Sequence, residues 1–455
     1  MNVVCIGAGY VGSVTAAAFA ALGHTVTIVD IDPGKIEAIR RGESPIYEPG
    51  LREIIRETSG RTLFAEEDYT RVPEADAVFI CVGTPSGPDQ TADLTYVKEA
   101  AVRIGKFLNP GRYTVVVNKS TVPVGTSDLV AALLEESSGL RRGREFEVVS
   151  NPEFLREGYA VEDVFHPDRI VIGSPSDRAE EVMRTLYAPL LSGNLEGVPG
   201  LPASVAASRK APVWLRTDPA SSELIKYASN AFLAVKISYI NEIARLCDAL
   251  GANVKEVAAG MGLDERIGGR FLQASSGWSG SCFPKDTAEL LATSRKYGYE
   301  SKVVAAAVEA NEEMHLYCVR KVQARLKAMQ GKRIGVLGLT FKANTDDARQ
   351  TQASVIIRHL AGMGCRVQAH DPQGMEMFRL LNPDLPVRYC GDPLEAAAET
   401  DAVILLTDWA CYLEMDWAKA AKEMRSEPYI LDTRNVLSGD RMRQWGWIYE
   451  GVGMA

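Results

Sequence analysis

A glycine-rich turn near the start of the chain constrains the fold more than any other feature. The segment GAGYVG, residues 7–12, lies between an apolar run at 3–6 and an alanine-rich run at 11–22. The first run predicts a buried strand and the second predicts a helix. A strand, a glycine-rich turn and a helix in this order are typical of a dinucleotide-binding α/β domain.

An acidic residue supports that interpretation. Residues 25–29 alternate and are rich in β-branched side chains, which predicts a second strand ending at Asp30, 18 residues after Gly12. A carboxylate there would accept ribose hydroxyls and repel a 2′-phosphate, so the pattern favours NAD over NADP. The predicted contacts in this segment are Gly7, Gly9, Tyr10, Val11, Gly12 and Asp30. Lys35 either braces the adenosine side or is a solvated helix lysine.

The same alternation of strands and helices continues along the chain. Short apolar runs recur at 77–82, 114–117, 147–149 and 170–172, with helical patterns such as 94–107 between them. Strands that are buried on both faces, with helices between them, predict a doubly wound parallel sheet.

The middle of the chain has a different pattern. Residues 192–213 are rich in Gly, Pro, Ala and Ser, which predicts a surface loop or mobile excursion. Apolar residues then recur at three- and four-residue spacing from Ser221 to about Leu250, which predicts one long helix. Such a helix is long enough to join two domains or to form a dimer interface.

A second α/β region begins near Lys332, where RIGVLGLTFKA resembles the first strand and turn. In this copy Thr340 stands where Gly9 stands in the first, so we expect only the first domain to bind a dinucleotide. The predicted fold is two Rossmann-like doubly wound domains joined by a long central helix. The predicted domains are residues 1–214, which bind NAD, 215–328, a helical middle, and 329–455, the second Rossmann-like domain.

Composition excludes several classes of protein. The 455 residues include 50 Lys and Arg against 59 Asp and Glu, a net charge of −9 that argues against nucleic-acid or anionic-membrane partners. The eight cysteines are scattered without a C-x-x-C pair, so neither a disulfide framework nor a metal site is predicted. A reducing, cytoplasmic location follows from that pattern. The apolar start carries no Lys or Arg and is interrupted by glycines, unlike a signal peptide, and no run of about 20 apolar residues is present.

Seven further motifs identify a resemblance. They are YEPG (47–50), VGTP (82–85), STVPVGT (120–126), NPEFLREG (151–158), ELIKYASNAFLAVKISYINE (223–242), GSCFPKD (280–286) and FKANTDDAR (341–349). In order and spacing the chain is similar to the nucleotide-sugar 6-dehydrogenases of the UDP-glucose/GDP-mannose dehydrogenase family. The resemblance implies four-electron oxidation of the C6 alcohol of UDP-glucose to UDP-glucuronate, with two NAD⁺ reduced. It also implies that the domain at 329–455 binds the UDP-sugar.

The residues themselves suit such a reaction. An oxidation that passes through an aldehyde without releasing it benefits from a covalent thiohemiacetal, which a second hydride transfer converts to a thioester. Cys282 is the candidate nucleophile, because it lies in a loop of small residues with cationic side chains nearby in sequence. The other seven cysteines are interpreted as small buried hydrophobic residues.

The resemblance implies roles for further residues. Lys226 and Asn230, four residues apart on one helix face, are assigned to the reacting C6 region, where Lys226 stabilises an oxyanion. Asp286 organises the water or the base, and Thr121 and Glu153 are partners of the hydrolytic water. Further cofactor contacts are assigned to Gly83, Thr84, Pro85, Thr121, Glu157, Lys285 and Arg349. Substrate contacts are assigned to Glu153, Phe154, Leu155, Arg156, Glu157, Lys226, Asn230, Phe271, Leu272, Gln273, Ala274, Ser275, Ser279 and Lys342, with Arg266 supplied across a subunit interface of a homodimer or larger homo-oligomer.

One position departs from the family pattern. Ser279 stands where a glycine is usual before the cysteine, and this departure bears on the loop conformation and on the sugar preference. Three alternatives stay open at this point. They are oxidation of GDP-mannose or a UDP-N-acetylhexosamine, a two-electron hydroxyacid dehydrogenase that needs no cysteine, and a non-catalytic sensor of NAD or nucleotide sugars.

Overall fold

The computed structural model describes residues 1–207 and 210–454. By its internal contacts the chain divides into two compact units, Met1–Ala228 and Ser229–Ala455. The predicted division into three domains stays a prediction.

The first unit contains eight strands and the helices that connect them. The strands are β1 (Asn2–Ile6), β2 (Thr25–Val29), β3 (Leu63–Glu66), β4 (Ala77–Ile80), β5 (Thr114–Asn118), β6 (Phe146–Ser150), β7 (Arg169–Gly173) and β8 (Val213–Thr217). The helices are α1 (Tyr10–Ala21), α2 (Pro33–Arg40), α3 (Leu51–Thr58), α4 (Thr95–Phe107), α5 (Thr126–Ser138), α6 (Ala160–Phe165), α7 (Asp177–Leu191), α8 (Ala203–Ala206) and the start of α9 (Pro219–Leu250), with a 3-10 turn at Val72–Glu74. The strands and helices predicted from the sequence up to residue 150 are confirmed, with bounds that differ by one or two residues.

The sheet of the first unit has the strand order β3-β2-β1-β4-β5-β6-β7-β8. The strands from β3 to β6 are parallel, but β7 meets β6 antiparallel at the pair Ser150 and Gly173, and β8 is parallel to β7. The prediction that the 170–172 run belongs to a wholly parallel sheet is therefore wrong. An apolar run reports that a strand is buried on both faces, which does not depend on the direction of the strand.

The segment 192–213 is more ordered than a loop. Leu195 and Val205 are buried in the first unit, and α8 lies within the segment. A Cβ on Gly200 would lie 2.5 Å from the carbonyl oxygen of Glu53, so the chain there packs directly on α3. Residues 208 and 209 lie outside the described residues. Val213 already begins β8, so the predicted domain boundary after residue 214 falls inside a strand.

The long helix α9 confirms the predicted one and extends it by two residues at its start. It has 32 residues, which at 1.5 Å per residue gives a length of about 48 Å. The boundary between the two compact units, after Ala228, falls within this helix.

The second unit repeats the α/β plan. Its helices after α9 are α10 (Val254–Gly262), α11 (Phe283–Lys296), α12 (Lys302–Leu326), α13 (Gln352–Gly362), α14 (Met375–Leu381), α15 (Pro393–Ala397), α16 (Ala410–Leu413), α17 (Trp417–Glu423) and α18 (Gly439–Gln444). Its strands are β9 (Arg333–Leu337), β10 (Arg366–His370), β11 (Val387–Tyr389), β12 (Ala402–Leu405), β13 (Tyr429–Asp432) and β14 (Ile448–Gly451). They form a parallel sheet in the order β11-β10-β9-β12-β13-β14, the Rossmann order, so the predicted fold class is confirmed.

Ligands of such sheets bind outside the carboxyl ends of the strands, where the strand order reverses. In the first unit that point lies between β1 and β4, beside the glycine-rich turn. Within the described ranges, no helix is both long enough and apolar enough to cross a membrane.

Candidate active site

The glycine-rich turn is shaped by three different constraints. Gly7 has φ +106°, and a Cβ there would lie 2.9 Å from the carbonyl oxygen of Cys81. A Cβ on Gly12 would lie 1.7 Å from the carbonyl oxygen of Gly7, so this glycine lets α1 approach β1. Gly9 differs, because a Cβ there would meet no described atom within 4 Å. Contacts within the protein therefore require glycine at positions 7 and 12. The open space at Gly9 instead faces the start of α1, whose N–H groups suit a pyrophosphate.

Asp30 follows β2 beside this turn. Its carboxylate accepts the N–H of Ala8 at 2.6 Å and the N–H of Asp32 at 2.9 Å, which fixes its orientation. Lys35 Nζ lies 3.9 Å from the same carboxylate. The half-buried carboxylate is thus held at the end of β2, where the sequence predicts ribose contacts. The role of Lys35 stays open.

The loops that follow β4 and β5 are joined by side-chain hydrogen bonds. The hydroxyl of Thr84 donates to the carbonyl oxygen of Thr121 at 2.8 Å, and the hydroxyl of Ser120 donates to that of Val82 at 2.6 Å. The predicted cofactor residues of VGTP and STVPVGT therefore lie together at the carboxyl edge of the sheet.

A buried ion pair lies in the same unit. Lys226 Nζ is 2.9 Å from Glu153 Oε1, and both side chains are buried. Leu155 donates its N–H to the other Glu153 oxygen at 2.6 Å. Burial raises the pKa of Glu153, but Lys226, this N–H and Lys119 outweigh it, so the pKa lies below its usual value. The ring of Phe154 contacts Lys226 at 5.5 Å from Nζ to centroid. The structure therefore brings Lys226, Glu153 and Phe154 together, and Glu153 is ionised at neutral pH.

Glu48 explains the YEPG motif, to which the sequence assigned no role. Its buried carboxylate accepts the N–H groups of Gly158 at 2.6 Å and Ala160 at 2.7 Å, so it holds the end of the NPEFLREG loop. Arg156, a predicted substrate contact, forms a bidentate pair with Asp163 that reaches 2.6 Å. Its guanidinium thus orders the loop, which also carries Leu155 and Glu157.

Cys282 is the N-cap of α11, and its side chain is exposed. A helix of 14 residues places the positive end of its dipole at this sulfur, which favours a thiolate. All eight cysteines are thiols, and six of them are buried. The interpretation of the other seven as buried is wrong for Cys411, which is exposed on the short helix α16.

Asp286 is the centre of a buried group beside this cysteine in sequence. Asn230 donates to Asp286 Oδ2 at 2.5 Å, and Lys285 Nζ lies 2.7 Å from Oδ1. The carboxylate is almost fully buried on the first turn of α11. The structure thus brings together three predicted site residues. The ammonium of Lys285, which the sequence predicts to contact the cofactor, contacts this carboxylate.

The predicted substrate segment 271–275 contacts the core more than expected. Leu272 and Ala274 are buried in the hydrophobic core of the second unit, and Ser275 is also buried, with its N–H bound to Asn241 at 2.8 Å. An apolar core thus holds the side chains of Leu272 and Ala274. The predicted contact of this segment with the substrate stays a prediction. Phe271 has φ +64°, a rare conformation for a residue with a Cβ, and its ring lies 6.5 Å from that of Phe283. Gln273 makes a weak bond to a nearby carbonyl, 3.4 Å long.

Ser279, the departure from the family pattern, is turned away from solvent. It is buried, and its hydroxyl is hydrogen-bonded to Gln352 at the start of α13. Next to it, Gly280 has φ +86° and a Cβ there would lie 2.8 Å from the ring of Phe341. The loop before Cys282 is thus fastened to the second sheet's turn. The predicted contact of Ser279 with the substrate stays a prediction.

Three predicted cations of the second unit lie in loops. Arg349 forms a bidentate pair with the buried Asp347 at 2.8 Å, which makes it an ordering residue of the 338–351 loop. Lys342 Nζ lies 5.2 Å from the ring of Phe341. Arg266 is exposed and pairs with Asp264 at 2.6 Å. Their contacts to ligands stay predictions.

The second glycine turn shows why a dinucleotide is not expected there. Gly338 has φ +103°, and Leu339 donates its N–H to Asp371 at 2.7 Å. Thr340 occupies the third position, and its N–H and hydroxyl both bind Asp371 at 3.0 Å, as Trp409 does at 3.2 Å. The following helix, α13, begins only at residue 352. Protein groups therefore occupy the positions that the first unit leaves to a ligand.

The fold, the glycine-rich turn and the exposed thiol define a dehydrogenase that uses NAD. Family models of the UDP-glucose/GDP-mannose dehydrogenase family match the chain in three segments: the NAD binding domain at residues 1–191, the central domain at 220–313 and the UDP binding domain at 335–439. The chain belongs to the UDP-glucose/GDP-mannose dehydrogenase family.

Curated proteins and solved structures support this membership over the full chain. A UDP-glucose 6-dehydrogenase of Rhizobium meliloti is 44% identical and covers 100% of this chain and 99% of its own. UDP-glucose 6-dehydrogenase TuaD of Bacillus subtilis is 42% identical, with coverages of 99% and 93%. A UDP-glucose dehydrogenase structure from Pyrobaculum islandicum matches with a TM-score of 0.87 at 40% identity, covering 100% of this chain and 98% of its own.

Several functional residues escaped the sequence analysis. Lys119, Asn151 and Glu223 are buried polar residues that hold the site loops of the first unit. Glu223 accepts the N–H groups of Gly125 at 2.7 Å and Ser127 at 2.8 Å, and so fastens the STVPVGT loop. The sequence contained one indication of these residues, because each lies inside one of the quoted motifs or directly before it.

Proposed function

We propose that this protein oxidises the C6 alcohol of UDP-glucose to the carboxylate of UDP-glucuronate in two steps, with both hydrides going to NAD. The observation that carries the proposal is Cys282, an exposed thiol at the positive end of α11, four residues before Asp286, to which Asn230 donates a hydrogen bond. A thiol so placed suits a four-electron oxidation that retains its aldehyde as a covalent intermediate. The names of the relatives support the choice of sugar.

The first step removes the proton of the C6 hydroxyl group and a hydride from C6. NAD, held by the glycine-rich turn, Asp30 and the VGTP loop, supplies an acceptor for the hydride. Lys226 stabilises the negative charge that develops on the C6 oxygen, because its ammonium is already desolvated and oriented by Glu153. Asn230 adds a hydrogen bond, and Asp286 relays the proton.

The second step uses the covalent bond to Cys282. The thiolate adds to the aldehyde carbon, and the oxygen takes up a proton to give a thiohemiacetal. Loss of that proton and of the remaining C6 hydride, for which a second NAD⁺ would be the acceptor, gives a thioester. Water then attacks the thioester carbon, releases the carboxylate and returns the thiol. Glu153, ionised in this structure, takes the proton of the attacking water, with Thr121 as the second partner of that water.

Local cations explain how a chain of net charge −9 binds an anion. Lys342, together with Arg266 from a neighbouring subunit, supplies positive charge to the UDP pyrophosphate, while the overall charge disfavours anionic polymers. We further propose that the enzyme works in the cytoplasm, because Cys282 must remain a thiol for every turnover.

The chain also forms a homodimer or larger homo-oligomer in this proposal. Phe232, Tyr239, Leu246 and Leu250 are exposed apolar residues of α9, and the first three recur every seven residues. That spacing gathers them along one side of the helix, a pattern suited to a second copy of the same helix.

The stoichiometry of NADH against UDP-glucose consumed tests the reaction. We expect two NADH per sugar, and loss of net turnover in Cys282→Ser. One NADH per sugar, or an active Cys282→Ser enzyme, would refute the covalent mechanism, and no NADH would favour a sensor. A panel of UDP-glucose, UDP-galactose, GDP-mannose and UDP-N-acetylmannosamine tests the sugar. A strong preference for any but the first overturns the substrate proposal.

A further inference from the structure

Lys119 is a buried lysine for which the proposed mechanism gives no role. It follows β5 directly, at the carboxyl edge of the first sheet, and its side chain is buried. Nζ donates to Oδ1 of Asn151 at 3.1 Å and to the hydroxyl of Tyr187 at 3.4 Å. Both acceptors are neutral, so these hydrogen bonds do not neutralise the ammonium.

Asn151 links this lysine to the catalytic loop. Its Oδ1 also accepts the hydroxyl of Tyr187 at 2.6 Å, and its Nδ2 donates to the carbonyl oxygen of Val171 at 2.9 Å. The residue is therefore fixed from three sides. Two positions later stands Glu153, the carboxylate that is paired with Lys226.

We propose that Lys119 is a positioning residue for Glu153: it fixes the start of the loop through Asn151, and its positive charge adds to that of Lys226 in supporting the carboxylate that serves thioester hydrolysis. This inference rests on the proposed function, since it gives Lys119 its purpose through the role of Glu153.

The charge of Lys119 is maintained at a cost. Burial lowers the pKa of Lys119 to about 8. Lys226 also lowers this pKa, whereas Glu153 and the neighbouring thiols raise it. The groups that face it are Glu153 after β6, Cys81 after β4, Lys226 on α9, Cys5 on β1 and Tyr187 on α7. The same charge lowers the pKa of Glu153.

The largely buried Lys321 shows how a lysine is ordinarily accommodated in a protein interior. Lys321, in the second unit, lies 2.8 Å from a carboxylate oxygen of Asp248 and 2.9 Å from one of Glu450, and these partners raise its pKa. Lys321 is held by contacting carboxylates, whereas the ammonium of Lys119 acts on its carboxylate through Asn151 and across the protein interior. A buried lysine with only a packing role would be more stable with carboxylates in direct contact, as Lys321 has.

The pH dependence of stability follows from the depressed pKa. An unfolded chain holds the lysine proton up to about pH 10.5, whereas the folded protein releases it near pH 8. The penalty of the buried charge is therefore complete below pH 8 and diminishes as the pH rises toward 10.5. Lys119→Met removes this penalty, so its melting temperature should equal or exceed that of the wild type at pH 7, with a smaller difference at pH 10.

The activity test uses Lys119→Met and Lys119→Gln. Gln retains a donor for Asn151 but has no charge, and Tyr187→Phe is the matched control because it removes a hydrogen bond from the same group without changing charge. We expect the acid limb of the kcat profile to move up by about one pH unit in both Lys119 variants. In consequence kcat should fall about tenfold at the acid end, with KM for UDP-glucose unchanged within about twofold. Tyr187→Phe should keep the wild-type acid limb.

Two results would overturn the inference. One is an unshifted acid limb in Lys119→Gln, and the other is the same shift in Tyr187→Phe. Glu153→Gln separates this failure from failure of the proposed function. If Glu153→Gln hydrolyses the thioester at the wild-type rate, the proposed role of Glu153 fails. If it is inactive while the Lys119 variants behave as wild type, the role of Lys119 alone fails.

Discussion

The two glycine-rich turns of this chain share a backbone conformation. They differ in the groups that occupy the space beside the turn. In both, the first glycine has φ above +100° and the next N–H binds an aspartate at the end of the neighbouring strand, Asp30 or Asp371. In the first unit Gly9 leaves the space before α1 open. In the second, Thr340 and Trp409 direct further donors at the aspartate, and the helix starts much later.

This comparison separates the fold from the site. A strand, a tight turn and an acidic residue are needed to build either sheet, so these features alone do not identify a nucleotide site. A position without a side chain, directly before a helix N-terminus, distinguishes the binding turn from the structural one.

The largest expected effect comes from filling that position. Gly9→Val should weaken NAD binding at least a hundredfold, because its side chain would occupy the space meant for the pyrophosphate. Its melting temperature should stay close to the wild-type value. Calorimetric titration with NAD measures the affinity.

The matched control is Thr340→Gly in the second turn. We expect one NAD per chain in this variant, as in the wild type, since Asp371 and the late start of α13 remain. Two NAD per chain, or a Gly9→Val affinity within tenfold of the wild type, would contradict the comparison.

Removal of Asp371 should affect stability instead of binding. This carboxylate is fully buried and accepts N–H groups from Leu339, Thr340 and Gly374. Asp371→Ala leaves these donors unpaired, so we expect about 3 kcal/mol less stability of the second unit in urea unfolding. Its NAD affinity should match the wild type. If the variant loses less than about 1 kcal/mol of stability, or if its NAD affinity is weakened, the proposed difference in role between Asp371 and Asp30 is wrong.

Acid pH should also affect the second unit. Burial lowers the pKa of His315 to about 4 from 6.5, and its Nε2 has no hydrogen-bond partner among the described residues. The unfolded chain binds this proton below pH 6.5 and the folded protein only near pH 4, so stability falls as the pH drops through that window. The full loss is about 3 kcal/mol at 1.36 kcal/mol per pH unit. His315→Gln should reduce this slope in denaturation curves between pH 7 and pH 4, and an unchanged slope would refute the assignment.

The smallest effect is expected at the first aspartate. Asp30→Asn removes the charge but keeps an acceptor for Ala8, so we expect about a tenfold rise in KM for NAD and a similar loss of discrimination against NADP. Lys35→Met resolves the open alternative. A change below twofold indicates a solvated lysine, and a larger one indicates a contact with adenosine.

Much of the fold followed from local patterns. The turn at residues 7–12, the strand at 25–29 and the long helix α9 were predictable because glycine position and apolar periodicity report local geometry and burial. The antiparallel arrangement of β7 was not predictable, since burial does not encode direction. The burial of Leu272 and the hydrogen bond of Ser279 to Gln352 depend on contacts distant in sequence.

The candidate site also combines features that the sequence indicates with features that only the structure shows. Cys282 was singled out from the sequence because chemistry and family motif agree on it, and Lys226 because the family motif assigns it to the site. Asp286 was found, but its pairing with Lys285 and Asn230 needed the structure. Lys119 was missed because an isolated lysine in a sequence is ordinarily on the surface.

The continuity of α9 limits how this protein can be taken apart. The boundary between the two compact units falls between Ala228 and Ser229, inside the helix, with Lys226 on one side and Asn230 on the other. A chimera joined there would need an unbroken helical phase across the joint, since one inserted residue rotates the second half by about 100°. Recombination between relatives should therefore succeed at loops on either side of this helix and fail within it.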